Sequence, residues 1–190
     1  MILIAGLGNP GDEYRNTPHN AGFLALDLFS ASHNLPPFSL SKKYNTAITK
    51  GILGEQKFIL AKPLTFMNAS GKSIASLASY YRATPGNIAI IHDDIDIQLG
   101  NIKISYGSGS AGQKGVQSII DCLGAKDFTR IRVGIQPEKG KPNDVENFVL
   151  RPFSKKDRKL FEEGLNKAAL AIETYLSQGL EKAMTKYNKT

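Results

Sequence analysis

A single cysteine, Cys122, stands among the 190 residues. An internal disulfide is therefore excluded, and the chain suits a reducing compartment, the cytoplasm. Long apolar runs are also missing. None approaches the ~18 residues that a membrane-spanning helix requires, so no membrane association is expected. The apolar N-terminal stretch is too short for a signal sequence and has no basic leader. No repeat or domain boundary interrupts the chain, and residues 1–190 are expected to form one domain, within the ~250 residues one core supports.

What is present is ordinary for a soluble protein in composition, with 41% hydrophobic and 22% charged residues, but not in charge distribution. The formal net charge is +7. Residues 1–100 hold 8 Lys/Arg against 7 Asp/Glu, residues 101–160 hold 12 against 6, and residues 161–190 hold 4 against 4. A basic excess confined to one third of the chain suits a polyanionic partner such as nucleic acid, or a surface kept basic for solubility.

Hydrophobic periodicity places the elements. Residues 1–6 read as a buried strand and residues 20–33 as a helix broken by Asn34-Leu-Pro-Pro37. Residues 45–53 and 57–62 read as paired strands around Gly54-Glu55. A helix follows, capped by Asn68 or Ser70 and ended by Pro85-Gly86. Residues 88–92 form the cleanest central strand, with further strands at 102–106 and 130–135. A helix runs from the glycine-rich 107–115 segment to Leu123, and a basic amphipathic helix follows from Lys155, capped by Ser154 and interrupted near Gly179. Residues 136–150 read as a flexible surface loop. Strands alternating with helices predict a three-layer α/β fold, with a mixed, mostly parallel twisted sheet flanked by helices.

Gly6, Gly8 and Gly11 satisfy G-x-G-x-x-G after a strand, the outline of a dinucleotide site. Such a site needs the third glycine to open a helix whose N-terminus meets the pyrophosphate. Here Pro10, Asn16 and Pro18 keep the chain irregular, and Asp27 falls inside a helix rather than at a strand end. Dinucleotide binding is therefore not expected. Ser108-Gly-Ser-Ala-Gly112 misses the G-x-S-x-G nucleophile elbow and suits a phosphate cradle or a flexible loop better.

Three apparent strand exits carry polar groups. Asn9 and His19 follow the first strand, Thr65-Phe-Met-Asn68 the strand ending near Lys62, and His92-Asp-Asp-Ile-Asp96 the strand at 88–92. Ligands in open α/β sheets bind at the carboxyl ends of strands. A His with a carboxylate on one ring nitrogen keeps the other free to take a proton from water, which makes His19 and Asp93 a candidate general-base pair. Asn9 and Asn68 can supply amide donors to a developing oxyanion. The same residues also suit plain turns and caps. Asp93, Asp94 and Asp96 with His19 and His92 could hold a hard cation, but no spacing matches a metal motif.

The chain resembles the bacterial-type peptidyl-tRNA hydrolase family. The likeness rests on Gly6-Leu-Gly-Asn-Pro-Gly-Asp-Glu-Tyr14, Thr17-Pro-His-Asn-Ala-Gly22 and Thr65-Phe-Met-Asn-Ala-Ser-Gly71. His92-Asp-Asp-Ile-Asp96, Arg130-Ile-Arg-Val-Gly-Ile135 and Phe148-Val-Leu150 follow in order, so it covers nearly the whole chain. The resemblance implies hydrolysis of the ester between a peptide, or an N-blocked aminoacyl group, and the 3′ ribose of tRNA. This recycles tRNA from peptidyl-tRNA released by ribosomes. It implies His19 as general base, Asp93 as its orienting partner, and Asn9 and Asn68 as groups that position the substrate and polarise its carbonyl. Tyr14, Phe66 and Met67 shape the cleft, and Asn20 joins the substrate-binding set. It further implies a monomer without metal, cofactor or obligate protein partner, acting on the 3′ CCA end and acceptor stem.

Two departures from the family pattern stand out. Gln113-Lys114 replaces a common His-Asn pair, and Ser105 stands where a phosphate-clamping Lys is frequent beside the residue matched by Arg132. Phosphate contacts are expected from Lys103, Lys114, Arg130, Arg132, Lys155 and Lys156. Competing expectations are a non-catalytic RNA-binding module and a serine or metal esterase of other specificity.

Overall fold

The computed structural model describes residues 1–188. Its elements are β1 (Ile2–Gly6), α1 (Ala21–Ser32), β2 (Ser39–Ser41), β3 (Thr46–Leu53), β4 (Gln56–Pro63), α2 (Ser70–Tyr81), β5 (Ile88–Gln98), β6 (Ile102–Tyr106), α3 (Lys114–Leu123), β7 (Thr129–Gln136), α4 (Val145–Val149), α5 (Lys155–Gln178) and α6 (Leu180–Tyr187). The seven strands form one sheet in the order β2-β3-β4-β1-β5-β7-β6. β4, β1, β5 and β7 pair in parallel, whereas the β2–β3, β3–β4 and β6–β7 pairs are antiparallel. The sheet is mixed with a parallel centre, as expected.

Side-chain alternation along the central strands builds two cores. Ile4, Phe58, Leu60, Ala89, Ile91, Ile131 and Val133 pack against α1, α5 and α6. Their neighbours Leu3, Ala5, Ile59, Ala61, Ile88 and Ile90 pack on the opposite face against Ile74 and Leu77 of α2 and Val116 and Ile119 of α3. Both faces are covered, which is why these strands read as continuous apolar runs.

Close backbone approach sets α1 directly on the end of β1. A Cβ on Gly22 would lie 2.2 Å from the Leu7 amide nitrogen and 2.3 Å from the Ile91 carbonyl oxygen. No side chain fits there, and the short separation brings the start of α1, with His19 just before it, to the carboxyl ends of β1 and β5.

Three expectations need correction, and one strand was not anticipated. The strand read as 88–92 runs on to Gln98, so His92–Asp96 is not a strand exit. Pairing with β7 carries it, with Asp93 opposite Val133 and Asp94 opposite Gly134. Residues 136–150 are not all loop, since α4 occupies Val145–Val149, capped by the Asp144 side chain on the Asn147 amide. The short strand β2, largely exposed, carries too little apolar pattern to be anticipated. Neither Asn68 nor Ser70 caps α2: Asn68 lies in the 3-10 turn Met67–Ala69, and the backbone of Ala69 begins the helix.

Candidate active site

β1 ends at Gly6, level with Ile91 of β5. The chain then turns away, held by the Leu7 amide donating to the Ile91 carbonyl at 2.9 Å. β5 continues past this point, so Asp93 sits on a strand whose neighbour on one side has left. Other elements can therefore reach its carboxylate.

His19 does so first. Its Nδ1 lies 2.9 Å from Asp93 Oδ2, across 74 positions of sequence. The Asp93 side chain is 5% exposed and that of His19 14%. With Nδ1–H donating to the carboxylate, the neutral ring presents Nε2 as its acceptor. Burial works against the imidazolium, but the charge of Asp93 and its hydrogen bond outweigh burial, and the His19 pKa stands above its ordinary value; the Lys114 ammonium pulls it back down. Burial disfavours the Asp93 carboxylate too. His19 and a Gln113 donor more than compensate, and its pKa lies below the usual carboxylate value.

Gln113 is the residue that the sequence did not expose as part of the site. Its Nε2 donates to Asp93 Oδ1 at 2.9 Å. It stands at the start of α3, where its Oε1 accepts from the Gly115 and Val116 amides. Gln is not among the preferred N-cap types, and in the sequence it stands out only as part of the Gln113-Lys114 departure from the family pattern.

Asn9 is 7% exposed and fixed at both its backbone and its side chain. Its amide nitrogen donates to Asn20 Oδ1 at 2.8 Å, and its carbonyl accepts from Asn20 Nδ2 at 3.1 Å. Its own Oδ1 accepts from the Met67 amide at 2.8 Å. That bond settles which end of the Asn9 amide remains, leaving Nδ2 as a donor.

These residues line an open cleft of about 500 Å³. Asn9, His19, Asp93 and Gln113 form its polar end, beside Phe66, Met67 and Asn68 from the loop after β4. Val145, Val149 and Leu150, from α4 and the residue after it, also line it. Lys114 lies at the rim, its Nζ donating to Glu146 Oε1 of α4 at 2.6 Å. Phe66, at 61% exposed, is an unburied aromatic at the edge of the cleft.

The other anticipated residues fall outside it. Asn20 spends both ends of its amide on the Asn9 backbone and holds that residue in place. Tyr14, half-buried, lies in the 3-10 turn Asp12–Tyr14 and does not line the cleft. Lys103 is exposed on β6, paired in register with Arg132 on β7. Arg132 donates through Nε to Asp94 Oδ2 at 2.7 Å, and Asp94 in turn lines the cleft. Arg130 is 2% exposed and bonds Ser108, so it is no surface phosphate contact as it stands. Lys156 pairs with Glu138, and Lys155 is exposed.

The competing chemistries find little support. Ser108 and Ser110 lie outside the cleft lining, and the Ser110 hydroxyl donates to Gln117 Oε1 at 2.8 Å. His92 is fully buried, its Nδ1 bonded to the Asp93 carbonyl at 2.7 Å, and burial lowers its pKa. Among the described residues no group of three or more His, Cys, Asp or Glu side chains is placed to hold a metal ion. Among them, too, no helix is long and apolar enough to cross a membrane.

A family model described as peptidyl-tRNA hydrolase matches residues 3–190. The peptidyl-tRNA hydrolase of Carboxydothermus hydrogenoformans is 38% identical over 191 residues, covering 100% of this chain and 99% of that one. That of Rhodococcus opacus is 42% identical over 184 residues, covering 97% and 96%. The crystal structure of peptidyl-tRNA hydrolase from Acinetobacter baumannii superposes with a TM-score of 0.91 at 29% identity, covering 99% of this chain and 94% of that one. An Arabidopsis thaliana 5′-methylthioadenosine nucleosidase shares the fold alone, at a TM-score of 0.53 and 9% identity. The chain belongs to the peptidyl-tRNA hydrolase family.

Proposed function

We propose that His19 is the general base through which this chain hydrolyses peptidyl-tRNA. As a member of its family the protein is a hydrolase acting on the ester bond of peptidyl-tRNA. The steps follow from the cleft. His19 Nε2 takes a proton from a water molecule as its oxygen attacks the ester carbonyl, and Asp93 stabilises the imidazolium that forms. Charge develops on the former carbonyl oxygen, where Asn9 Nδ2 and the Asn68 amide donate hydrogen bonds. Collapse of the tetrahedral species breaks the bond to the ribose oxygen. That oxygen receives the proton from His19, so free tRNA and a peptide carboxylate leave.

The observation that carries this reading is the 2.9 Å contact between His19 Nδ1 and Asp93 Oδ2 at the polar end of the cleft. Phe66 and Met67 offer an apolar wall for the peptide or the terminal base. Lys114 at the rim, with Lys103 and Arg132 on β6 and β7, supplies positive charge for the 3′ CCA end and acceptor stem. The same reading has the chain act as a monomer without an obligate protein partner. The lone Cys122 is free, which suits the cytoplasm. In that setting the reaction returns tRNA from peptidyl-tRNA released by ribosomes.

The test is incubation of purified protein with N-blocked aminoacyl-tRNA, with and without a chelator, following free tRNA. Release under both conditions is expected. RNA binding without cleavage would mark a binding module, and loss of cleavage with chelator would mark a metal esterase.

A further inference from the structure

We propose that Gln113 is a positioning residue for the reaction, holding the Asp93 carboxylate in the orientation that His19 requires; this rests on His19 acting as the base. All four hydrogen-bonding positions of the Gln113 amide are used. Oε1 accepts from the amides of Gly115 and Val116, at 2.6 and 3.0 Å. Only acceptors suit those two donors, so the amide has one possible orientation and Nε2 must face Asp93. One Nε2 hydrogen goes to Asp93 Oδ1 at 2.9 Å, and the other points to Met67 Sδ at 3.4 Å.

Gln113 thus joins three elements of the site: the start of α3, β5 through Asp93, and the loop after β4 through Met67. The consequence for Asp93 is geometric. A carboxylate held by one hydrogen bond can swing about its side-chain torsions, whereas one gripped at both oxygens cannot. Asp93 is gripped at Oδ2 by His19 and at Oδ1 by Gln113. With His19 donating at Oδ2 and Gln113 at Oδ1, both oxygens of Asp93 serve as acceptors, which suits the ionised carboxylate. The orientation of the imidazole is therefore anchored, through Asp93, to the first turn of a helix whose Val116 and Ile119 are fully buried.

Two substitutions separate this role from simple capping. Gln113→Ser keeps a preferred N-cap but is too short to reach Asp93. Gln113→Glu keeps a cap acceptor at full length but replaces the donor to Asp93 with negative charge. Other charged groups around the pair, Lys114 on α3, Glu146 on α4, Lys141 before it and Asp94 on β5, are unchanged in both. His19 is titrated by NMR in the free protein, and kcat and KM are measured separately on N-blocked aminoacyl-tRNA.

For Gln113→Ser the expected result is a kcat lowered about 10- to 100-fold with KM and melting temperature held, the loss that misplacement of a catalytic group brings. For Gln113→Glu the His19 midpoint rises, and the acid limb of kcat/KM moves to higher pH. Wild-type kcat together with an unmoved His19 midpoint in both variants would overturn the proposal, as would a kcat loss that only follows a lost melting temperature. If His19→Ala retained full turnover, the general-base reading would fail instead. The His19 titration, which needs no substrate, would still report on the hold of Gln113.

Discussion

The Asn9 side chain accepts a hydrogen bond from the backbone amide of Met67 at 2.8 Å, tying the loop after β1 to the loop after β4. This fixes Nδ2 as the end of the amide left to donate. Asn9→Asp keeps the acceptor for Met67 but removes the donor and adds negative charge where an oxyanion forms. Turnover is expected to fall about 10²- to 10³-fold, the cost of one oxyanion donor, while the fold is kept. Near-normal kcat in this variant would remove Asn9 from carbonyl polarisation.

The pH behaviour of His19 follows from its neighbours. Burial opposes the charged ring, Asp93 favours it more strongly, and Lys114 opposes it. The folded-state pKa is raised, so the neutral base is available only above that raised value, and kcat/KM climbs with pH through it. Lys114→Ala removes an opposing charge and shifts the His19 midpoint further up. Asp93→Asn removes the dominant favourable partner and shifts it down, while lowering kcat. NMR titration of the ring protons reads all three. Opposite movements in the two variants support the arrangement, and parallel ones contradict it.

Lys103 stands exposed on β6 beside the Arg132–Asp94 ion pair. If it meets a tRNA phosphate, Lys103→Ala weakens binding alike for different tRNAs and flattens the slope of log K against log salt by about 0.7 to 0.9, the value for one lost phosphate contact. Binding titrations at several salt concentrations measure this. An unchanged slope would make Lys103 ordinary surface.

Gly22 shows how the fold carries the site. A Cβ there would meet the Leu7 amide and the Ile91 carbonyl, both backbone and neither free to swing aside. Gly22→Ala must push α1 off β1, at a cost of ~3 kcal/mol or more, the upper end for overpacking. It also moves His19, so activity falls with stability. Thermal or urea unfolding against the wild type checks this, and a variant of unchanged stability would contradict it.

How much of this was legible in the sequence depends on where each residue finds its partners. Ile2–Ala5 and Ile88–Ile91 announced themselves because both faces of their strands are buried, which leaves an unbroken apolar run. The far end of β5 did not. His92, Asp93 and Asp94 are buried polar residues held by cross-strand pairing and by partners distant in sequence, and such residues read as an exit from the sheet. α4 was hidden because five residues between polar, proline-bearing stretches carry no helical period. His19 and Asp93 were recognisable as a pair because each follows or ends an apolar strand core. Gln113 was not, since nothing in a glutamine at a helix start announces a carboxylate 20 positions earlier.

We propose that one imidazole, steered by Asp93, activates the attacking water. The most direct measurement is single-turnover cleavage of N-blocked aminoacyl-tRNA by His19→Ala, with tRNA affinity measured in parallel. The expected result is a rate lowered about 10²- to 10⁴-fold, the span of general-base catalysis, with affinity near that of the wild type. Cleavage at the wild-type rate in the absence of that ring would contradict it.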